Sequence, residues 1–255
     1  MMTPESRRTA IVELVTAHGE SSIEQLAQHF GVSLQTVRSD LRMLTSGGLL
    51  LRRHGMVAPF ARENIGYQQR EIVNIAGKRW IGERTAALLG DYQSCFLGTG
   101  TTVEMVARAL PEASRLALFT NNLHAAEALS RLAACELTVA GGRVRKRDLD
   151  VIGSDAQTFF SRYRVDVGVV AVGGIGEAGE LYDYNDDEVA ARQALVASAA
   201  VSVLVVDSTK FGRTAICQNG SVGDFDYVIS DRTPTQQQHV VIKQRGTRWL
   251  SREYV

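Results

Sequence analysis

The fold of the first part of this chain is decided by one stretch, Gly31-Val32-Ser33-Leu34-Gln35-Thr36-Val37-Arg38-Ser39-Asp40-Leu41-Arg42. Apolar residues recur at spacings of three and four, and Ser33 is a suitable helix N-cap, which predicts an amphipathic helix that buries Leu34, Val37, Leu41 and Leu44. Its opposite face carries side chains of the types that contact base edges and phosphates. The stretch therefore predicts a recognition helix, although an ordinary solvated helix has a similar composition.

Two helices are predicted before it. Residues 6–17 place Ile11, Leu14 and Val15 on one face, and a second helix begins at a cap formed by Ser21 or Ser22. A turn at Gly31 then leads into the recognition helix. This order is that of a helix-turn-helix.

Residues 49–58 predict two short strands around a turn, as in the wing of a winged helix-turn-helix. The segment is locally basic although the formal net charge of the whole chain is zero. A structural ribbon with solvated cations is the alternative. The predicted DNA contacts are Ser33, Gln35, Thr36, Arg38, Ser39, Arg42, Arg52, Arg53 and His54.

Length and composition limit the number of domains and the class of protein. A chain of 255 residues with 45% hydrophobic content fits two unequal domains. The three cysteines lie far apart, so neither a disulfide framework nor a zinc site is indicated, and a reducing cytoplasm is expected. The N-terminal segment lacks the apolar core of a signal peptide, and the apolar run near 197–206 is too short to span a membrane. We expect a soluble, cytoplasmic protein.

The proposed domain organisation is a winged helix-turn-helix over residues 1–58, a linker over 59–75 and a second domain over 76–255. Residues 59–67 lack helical or strand periodicity and contain proline and glycine. Residues 68–89 then predict one helix. Beyond it, strand-like apolar runs near 94–97, 116–119, 137–140, 166–172, 201–206 and 227–229 alternate with helical segments.

That alternation predicts a Rossmann-like α/β domain with a largely parallel sheet, in which ligands bind past the carboxyl ends of the strands. After the first strand, glycines and hydroxyls precede a helix in a run that suits a phosphate, and polar or glycine residues follow later strands too. These turns can also be caps without a ligand. The residues predicted to bind a small anionic ligand are Gly98, Thr99, Gly100, Thr101, Thr102, Thr120, Asn121, Asn122, Gly141, Gly142, Arg143, Gly173, Gly174, Ile175, Asp183, Glu188, Asp207 and Lys210.

The N-terminal residues resemble the signature of the DeoR family of transcriptional regulators. The match joins two segments at fixed separation, at Arg7, Ile11, Val15, Ser33, Thr36, Val37, Arg38, Ser39, Asp40 and Leu41. One departure lies in the wing, where the family usually has paired glycines and this chain has Gly55 and Met56. If the turn needs a positive φ at the second position, Met56 is strained there.

The second half is similar to the effector domain of the same family, which shares its fold with ribose-5-phosphate isomerase and the coenzyme A transferases. The matching landmarks are residues 100–102, 120–122, 140–142, 153, 173–175, 188, 192 and 207–212. The resemblance implies that the ligand is an effector and adds Gly153 to the residues expected to bind it. The family's usual acidic residue two before the Gly-Thr-Thr run is Gly98 here, so its contact to a ligand hydroxyl is not expected. Residues 143–148 and 182–188 look most like the glycerol-3-phosphate repressor branch.

The resemblance implies a repressor of a sugar or polyol catabolic operon that binds double-stranded operator DNA as a dimer or tetramer and is released by a phosphorylated sugar or polyol, with no cofactor or metal. An isomerase is the rival, with Glu188 as base and Lys210 polarising the sugar oxygen. Against it, Glu188 and Arg192 can form an intrahelical pair. A second domain that only oligomerises is the third hypothesis.

Overall fold

The computed structural model describes residues 2–46, 50–53, 56–59 and 66–252. They form two compact units, Met1–Ile75 and Ala76–Val255. Each unit has its own apolar core, as an independently organised domain requires.

The first unit is a winged helix-turn-helix, as the sequence predicts. Its elements are α1 (Pro4–His18), β1 (Ser21–Ser22), α2 (Ile23–Phe30), α3 (Leu34–Ser46), β2 (Leu50–Arg53), β3 (Met56–Pro59) and α4 (Tyr67–Glu71). The three strands form a sheet of order β1-β3-β2, in which both pairings are antiparallel.

Local caps explain where these helices begin. Ser22 forms a capping box with Gln25 at the start of α2. At the start of α3 the Ser33 hydroxyl accepts a hydrogen bond from the backbone N–H of Thr36 at 3.1 Å. Because each cap satisfies orphan backbone donors, the two helices have fixed first turns.

The core of the first unit is formed by buried side chains from the three helices and the wing: Ile11, Val12, Val15, Ile23, Leu26, Ala27, Val37, Leu41, Leu44, Leu50 and Val57. Leu34, expected among them, is 41% exposed, so that expectation was wrong. Its position in the first turn of α3 places it beside the exposed face, because it lies only about 40° around the helix axis from Arg38.

The second unit is built on a parallel sheet, which confirms the predicted α/β class. Its strands and helices are α5 (Ile75–Leu89), β4 (Ser94–Leu97), α6 (Thr101–Ala109), β5 (Ala117–Thr120), α7 (Leu123–Leu129), β6 (Glu136–Val139), β7 (Val144–Arg145), β8 (Asp150–Val151), α8 (Ser154–Ser161), β9 (Val165–Val170), β10 (Gly174–Ile175), β11 (Glu180–Asp183), α9 (Asp186–Ala197), β12 (Ala199–Val205), β13 (Cys217–Ser221), β14 (Tyr227–Ile229), α10 (Gln236–Arg245) and β15 (Arg248–Leu250).

Seven of these strands form the main sheet in the order β15-β14-β12-β9-β4-β5-β6, and all six pairings are parallel. Helices α5, α6 and α7 pack on one face and α8 and α9 on the other. Since β5 and β9 lie on opposite sides of β4, the strand order reverses between β4 and β9. In open α/β sheets such a reversal opens a crevice at the carboxyl edge.

Two small antiparallel sheets were not predicted from the sequence. One has the order β10-β11-β13, and the other is the hairpin β7-β8. Their strands are two to five residues long, too short for a clear alternation of apolar and polar residues. Helix α10 and strand β15 were also missed.

The predicted helix over residues 68–89 is two helices, α4 and α5, separated by a turn at residues 72–74. Asn74 in that turn has a φ of 49°, which ends one helix before the next begins. Helix α4 therefore lies within the stretch that was assigned to a linker, and Tyr67 and Val73 there are buried and partly buried, respectively.

Helix α5 crosses α6 at very short range through Gly82. A Cβ atom added at Gly82 would lie 2.5 Å from the carbonyl oxygen of Met105, which is closer than van der Waals contact permits. The glycine at this position therefore sets the distance between the two helices.

We predict that Gly82→Ala destabilises the protein, because the added methyl must push α5 away from the backbone of α6. Overpacking of this kind costs roughly 1–3 kcal/mol. Denaturant unfolding of the variant measures it. Gly141→Ala is the matched control, because a Cβ there meets nothing within 4 Å. Equal stabilities of the two variants would contradict the tight crossing.

Candidate functional site

One face of α3 is exposed and polar. Gln35, Arg38, Ser39 and Arg42 are exposed, and Leu34 and Met43 lie at its margins. At 100° per residue these six side chains occupy about half of the helix circumference. A face of this width and composition fits the major groove of DNA.

Thr36 is only partly exposed, and its hydroxyl lies 2.9 Å from that of Ser33. The two hydroxyls thus hold the first turn of α3 together. Both residues were predicted to contact DNA, and their local bonding gives them a role in fixing the helix start as well.

A partly buried ion pair ties α3 to α1. Arg7 Nε donates to the carboxylate of Asp40 at 2.6 Å, and Arg8 Nε lies 3.4 Å from the other carboxylate oxygen. Asp40 is buried, so these two arginines supply the opposite charge that a buried carboxylate needs. Sequence reasoning noted both Arg7 and Asp40 in the family pattern but did not pair them.

Two of the basic residues predicted to contact DNA lie in a strand of the wing. Arg52 and Arg53 lie in β2, with Arg53 paired to Met56 of β3. His54 and Gly55 lie outside the described residues. The expected strain at Met56 is not found, since the described non-glycine residues with positive φ are Asn74 and Leu149.

In the second unit the candidate effector residues follow strands of the main sheet. The turns after β4, β5, β6, β9 and β12 all lie at its carboxyl edge, because the strands are parallel. The turns after β4 and β9 flank the reversal of strand order. A backbone hydrogen bond of 2.9 Å ties the first of these turns to strand β9, from Gly98 N–H to the carbonyl of Val169.

The turn after β4 presents the start of α6. Gly100 has a φ of 107°, a conformation that L side chains rarely adopt, and it is the N-cap of α6 without a side-chain hydrogen bond. Thr101 and Thr102 are buried, and Thr99 is partly exposed. The free N–H groups of this helix end form an arrangement that can bind an anion.

The turn after β5 supports that helix end. Asn122 donates to the carbonyls of Gly98 and Gly100 at 3.4 and 3.3 Å, and its carbonyl oxygen accepts from two N–H groups of α7. Thr120 donates to the carbonyl of Leu97 at 2.7 Å. Both residues were predicted to bind the effector, but their hydrogen bonds position the glycine turn.

Asn121 is bonded differently. Its amide nitrogen donates to the carbonyl of Val151 at 2.7 Å, while its carbonyl oxygen is buried without a hydrogen-bond partner among the described residues. A buried acceptor without a donor is uncommon in native structures. Asn121 is therefore a candidate acceptor for a ligand hydroxyl.

The turn after β12 brings charges to the same edge. Asp207 is fully buried, and Thr209 donates to it from its backbone N–H at 3.0 Å and from its hydroxyl. Burial raises the pKa of Asp207, but the positive charges of Lys78 and Lys210 and the bonds from Thr209 outweigh burial and lower it. Lys78, in α5, was missed by sequence reasoning, although a lysine three residues before Ile81 stands out on an apolar stripe.

Two ion pairs use the acidic residues around α9. Arg145 pairs with Glu188 and makes a bidentate contact with Asp150 at 2.9 and 2.7 Å. Arg192 donates to Asp183 at 2.6 Å. The suggested intrahelical pair of Glu188 with Arg192 was therefore wrong, because each partner has a closer counterion from another element.

Because each is paired with an arginine, neither Glu188 nor Asp183 is a free carboxylate. Burial raises the pKa of Asp183, and the charge of Arg192 and a hydrogen bond from Gly173 N–H oppose that rise. Both carboxylates therefore hold the protein together at the site, which leaves Glu188 poorly suited to act as a base.

The remaining predicted effector residues lie in exposed turns, at a helix start or in a short strand. Gly141, Gly142 and Arg143 are exposed, and the backbone N–H of Arg143 donates to Asp155 at 3.2 Å. Gly153 is the N-cap of α8. Gly174 and Ile175 form β10, and Gly173 immediately precedes it.

Among the described residues, no group of three or more His, Cys, Asp or Glu residues could hold a metal ion. In the same part of the chain, no helix is long and apolar enough to cross a membrane. The polar groups described at the carboxyl edge are hydrogen-bond donors and acceptors, the carboxylate of Asp207, Lys210 and the N-terminus of α6.

Comparisons with known proteins agree on both units. A family model described as a DeoR-like helix-turn-helix domain matches residues 7–60, and one described as a DeoR C-terminal sensor domain matches residues 73–232. The chain is 36% identical to the glycerol-3-phosphate regulon repressor of Escherichia coli (strain K12) over 91% of this chain and 93% of that protein.

The chain is also 33% identical to the HTH-type transcriptional repressor CsqR of Escherichia coli (strain K12), over 91% of this chain and 90% of that protein. Among solved structures, a ribose 5-phosphate isomerase A from Methanocaldococcus jannaschii matches with a TM-score of 0.40 and 17% identity, over 54% of this chain and 55% of that one.

We predict that Asn122→Ala destabilises the protein more than Asn121→Ala. Asn122 makes four side-chain hydrogen bonds and Asn121 makes one. Each buried group left without a partner costs about 1–3 kcal/mol. Thermal unfolding of the two neighbouring variants measures the difference, and a smaller loss for Asn122→Ala would contradict its supporting role.

Proposed function

The chain belongs to the DeoR family of transcriptional regulators, and we propose that it represses a sugar or polyol catabolic operon and leaves its operator when a phosphorylated sugar or polyol binds. It is a DNA-binding regulator and not an enzyme. The names of its relatives support a phosphorylated polyol as ligand, with glycerol 3-phosphate as the first candidate.

The DNA-binding part of the proposed function is supported by the exposed polar face of α3. We assign Gln35 and Ser39 to base edges and Arg42 to phosphate, with Arg38 able to reach either. The wing residues Arg52, Arg53 and His54 are assigned to the neighbouring phosphates. The orientation of α3 depends on the Arg7–Asp40 pair, which holds it against α1.

The effector-binding part of the proposed function is supported by the geometry at the start of α6. A phosphate there meets backbone N–H groups and the positive end of the helix dipole with little rearrangement. Lys210 adds positive charge at the same edge, and the unpartnered oxygen of Asn121 is a candidate acceptor for a ligand hydroxyl. Thr101 and Thr102 are the proposed hydroxyl donors.

Two further proposals follow from the size of the DNA contact. One recognition helix covers only a few base pairs, so useful specificity requires at least two copies on repeated half-sites. We propose a dimer or tetramer held by the second unit. A cytoplasmic location agrees with this role and with the three free cysteines.

An isomerase activity is not supported by the site. The carboxylate that the isomerase hypothesis uses as its base, Glu188, pairs with Arg145. General base catalysis needs a free carboxylate within reach of the substrate carbon.

We predict that Arg42→Ala weakens binding to operator DNA and lowers the slope of log affinity against log salt by about 0.9, because one phosphate contact is lost. Operator DNA is recovered by selection from a random duplex library, and fluorescence anisotropy gives the affinity. Arg131→Ala is the control, because this exposed arginine of the second unit changes the net charge equally. An unchanged affinity and slope for Arg42→Ala would show that the proposed docking is wrong.

We predict that a phosphorylated sugar or polyol raises the melting temperature of the protein. A ligand at a hundred times its dissociation constant adds roughly 2.7 kcal/mol of stability. The measurement is a thermal-shift screen of glycerol 3-phosphate and other phosphorylated compounds beside their unphosphorylated parents. Lys210→Ala and Thr101→Val should abolish the shift, and Lys146→Ala, an exposed lysine, should retain it.

If every phosphorylated compound is silent while an unphosphorylated or nucleotide ligand stabilises the protein, the proposed phosphate site is wrong. The assignment of the DNA-binding face does not depend on that result.

A further inference from the structure

Arg192 is a buried arginine whose hydrogen bonding is incomplete. It donates from Nη2 to Asp183 at 2.6 Å, and the other oxygen of Asp183 accepts from the backbone N–H of Gly173. The Nε atom of Arg192 is buried without a hydrogen-bond partner in the part of the chain that the structure describes. Buried polar atoms without a partner are uncommon in native structures, so a ligand atom is a candidate acceptor for this donor.

Arg145 provides a comparison within the same unit. Its Nε and Nη2 atoms, which lie on one edge of the guanidinium, donate to the two oxygens of Asp150 at 2.9 and 2.7 Å. In Arg192 the same edge donates through Nη2 alone. One donor of that edge is therefore left for an acceptor from outside the protein.

Arg192 lies close to the turn that follows β4. Leu195, three residues later on the same face of α9, adjoins that turn, because a Cβ atom at Gly98 would lie 3.4 Å from its Cδ1. Helix α9 leads into the start of β12, so it runs from the carboxyl edge of the sheet toward the amino edge. Arg192 is therefore about 4.5 Å nearer the carboxyl edge than Leu195 along the helix axis.

A second set of contacts links Arg192 to the turn after β9. Its acceptor Asp183 is bonded at 2.9 Å to the N–H of Gly173, three residues after the end of β9. Ala171, two residues before Gly173, adjoins the N-cap of α6, because a Cβ atom at Gly100 would lie 3.6 Å from the Cβ of Ala171. The guanidinium is therefore near the helix start at which the phosphate is proposed to bind.

Asn121 adjoins the same turn from β5, on the other side of β4. The neighbouring Asn122 donates to the carbonyls of Gly98 and Gly100, and Asn121 donates to Val151, a core residue on the α9 side of the sheet. The carbonyl oxygen of Asn121 is buried without a partner among the described residues. Because β4 alone separates β5 from β9, the ends of those two strands are about 10 Å apart. A buried donor and a buried acceptor thus flank the start of α6.

The charges around Arg192 favour a neutral group of the ligand. Arg145 pairs with Asp150 and Glu188, and Arg192 pairs with Asp183. The two arginines therefore meet at least three carboxylates, which leaves no surplus positive charge for a phosphate. A hydroxyl group is uncharged, and it can accept from an N–H and donate to a carbonyl oxygen.

We infer that Arg192 and Asn121 bind the hydroxyl groups of the ligand. The Nε–H of Arg192 donates to one hydroxyl oxygen, and another hydroxyl donates to the carbonyl oxygen of Asn121. This inference rests on the proposed function and adds the residues that select the ligand: the start of α6 binds the phosphate, and these two side chains require hydroxyl groups beside it. An analogue without hydroxyls leaves both buried groups unpaired and is rejected for that reason.

The test compares glycerol 3-phosphate with propyl phosphate, which has the same carbon chain and phosphate but no hydroxyl. Calorimetric titration gives the dissociation constants for the wild type, Arg192→Lys, Asn121→Leu and Arg131→Lys. Lysine keeps the positive charge beside Asp183 but has no Nε–H, and leucine is similar in size to asparagine but has no acceptor. Arg131→Lys is the matched control, because it is the same substitution at an exposed arginine of the same unit.

We expect the wild type and Arg131→Lys to bind glycerol 3-phosphate about tenfold or more tightly than propyl phosphate, because an unpaired buried group costs at least that factor. In Arg192→Lys and Asn121→Leu the ratio should fall toward one, with the dissociation constant of propyl phosphate unchanged. A merely structural role would weaken the binding of both compounds equally. That result, an unchanged ratio in either variant, or no preference in the wild type would overturn the inference.

A second measurement needs no variant to fold. The nitrogen–proton NMR signal of the Arg192 Nε–H, assigned through the backbone of Arg192, is followed in the wild type. We expect glycerol 3-phosphate, or a phosphorylated sugar if only that stabilises the protein, to shift this signal and to slow its exchange with water, and propyl phosphate to do neither. A bound hydroxylated ligand that leaves the signal unchanged would overturn the inference.

If no phosphorylated compound binds the wild type, the proposed function fails, and the same signal decides on Arg192. It is then followed in titrations with glycerol, other unphosphorylated polyols and sugars, and propanol as control. A saturable change with a polyol or sugar and none with propanol supports the hydroxyl-binding role. No change with any hydroxylated compound, or the same change with propanol, overturns it.

Discussion

The reversal of strand order between β4 and β9 is the constraint on which the second unit depends. Because the chain leaves β4 in one direction and returns to its other side at β9, the two turns diverge at the carboxyl edge. Gly98 N–H, bonded to Val169, ties the turn after β4 to strand β9, and the amide of Asn122 fixes the carbonyls of the glycine turn. These bonds hold the start of α6 in place, with Thr99 and Gly100 partly exposed and the two threonines after them buried.

Most polar residues at this edge bind the protein itself. Thr120, Asn122, Asp183 and Glu188 all have partners from other elements, so they act as supports for the groups that face a ligand. Such support reduces the rearrangement that binding requires. In the proposed site, the groups left for a ligand are the end of α6, the charge of Lys210 and the unpartnered oxygen of Asn121. These groups are the basis of our proposal that the ligand is an anion that also carries hydroxyl groups.

Periodicity in the sequence predicted the elements whose burial is regular. The strands β4, β9 and β12 and the helix α3 have continuous apolar or amphipathic patterns, and their bounds were close to those observed. Contacts between residues far apart in the chain leave no periodic pattern in the sequence, so they were not predicted. The pairing of Arg145 with Glu188 depends on a hairpin too short to show periodicity, and the break at Asn74 has neither glycine nor proline to mark it. Lys78 was visible as a charge on an apolar stripe, but Asp207, whose pKa its charge lowers, lies 129 residues away in the chain.

The central claim is that operator DNA and a phosphorylated ligand compete through one protein conformation. Calorimetric titration of glycerol 3-phosphate into the wild type, with and without saturating operator DNA, tests it most directly. The account predicts that DNA raises the dissociation constant of the ligand by the same factor by which the ligand raises that of DNA, because coupling between two binding sites is reciprocal. A ligand that binds with the same dissociation constant in both titrations would contradict the account.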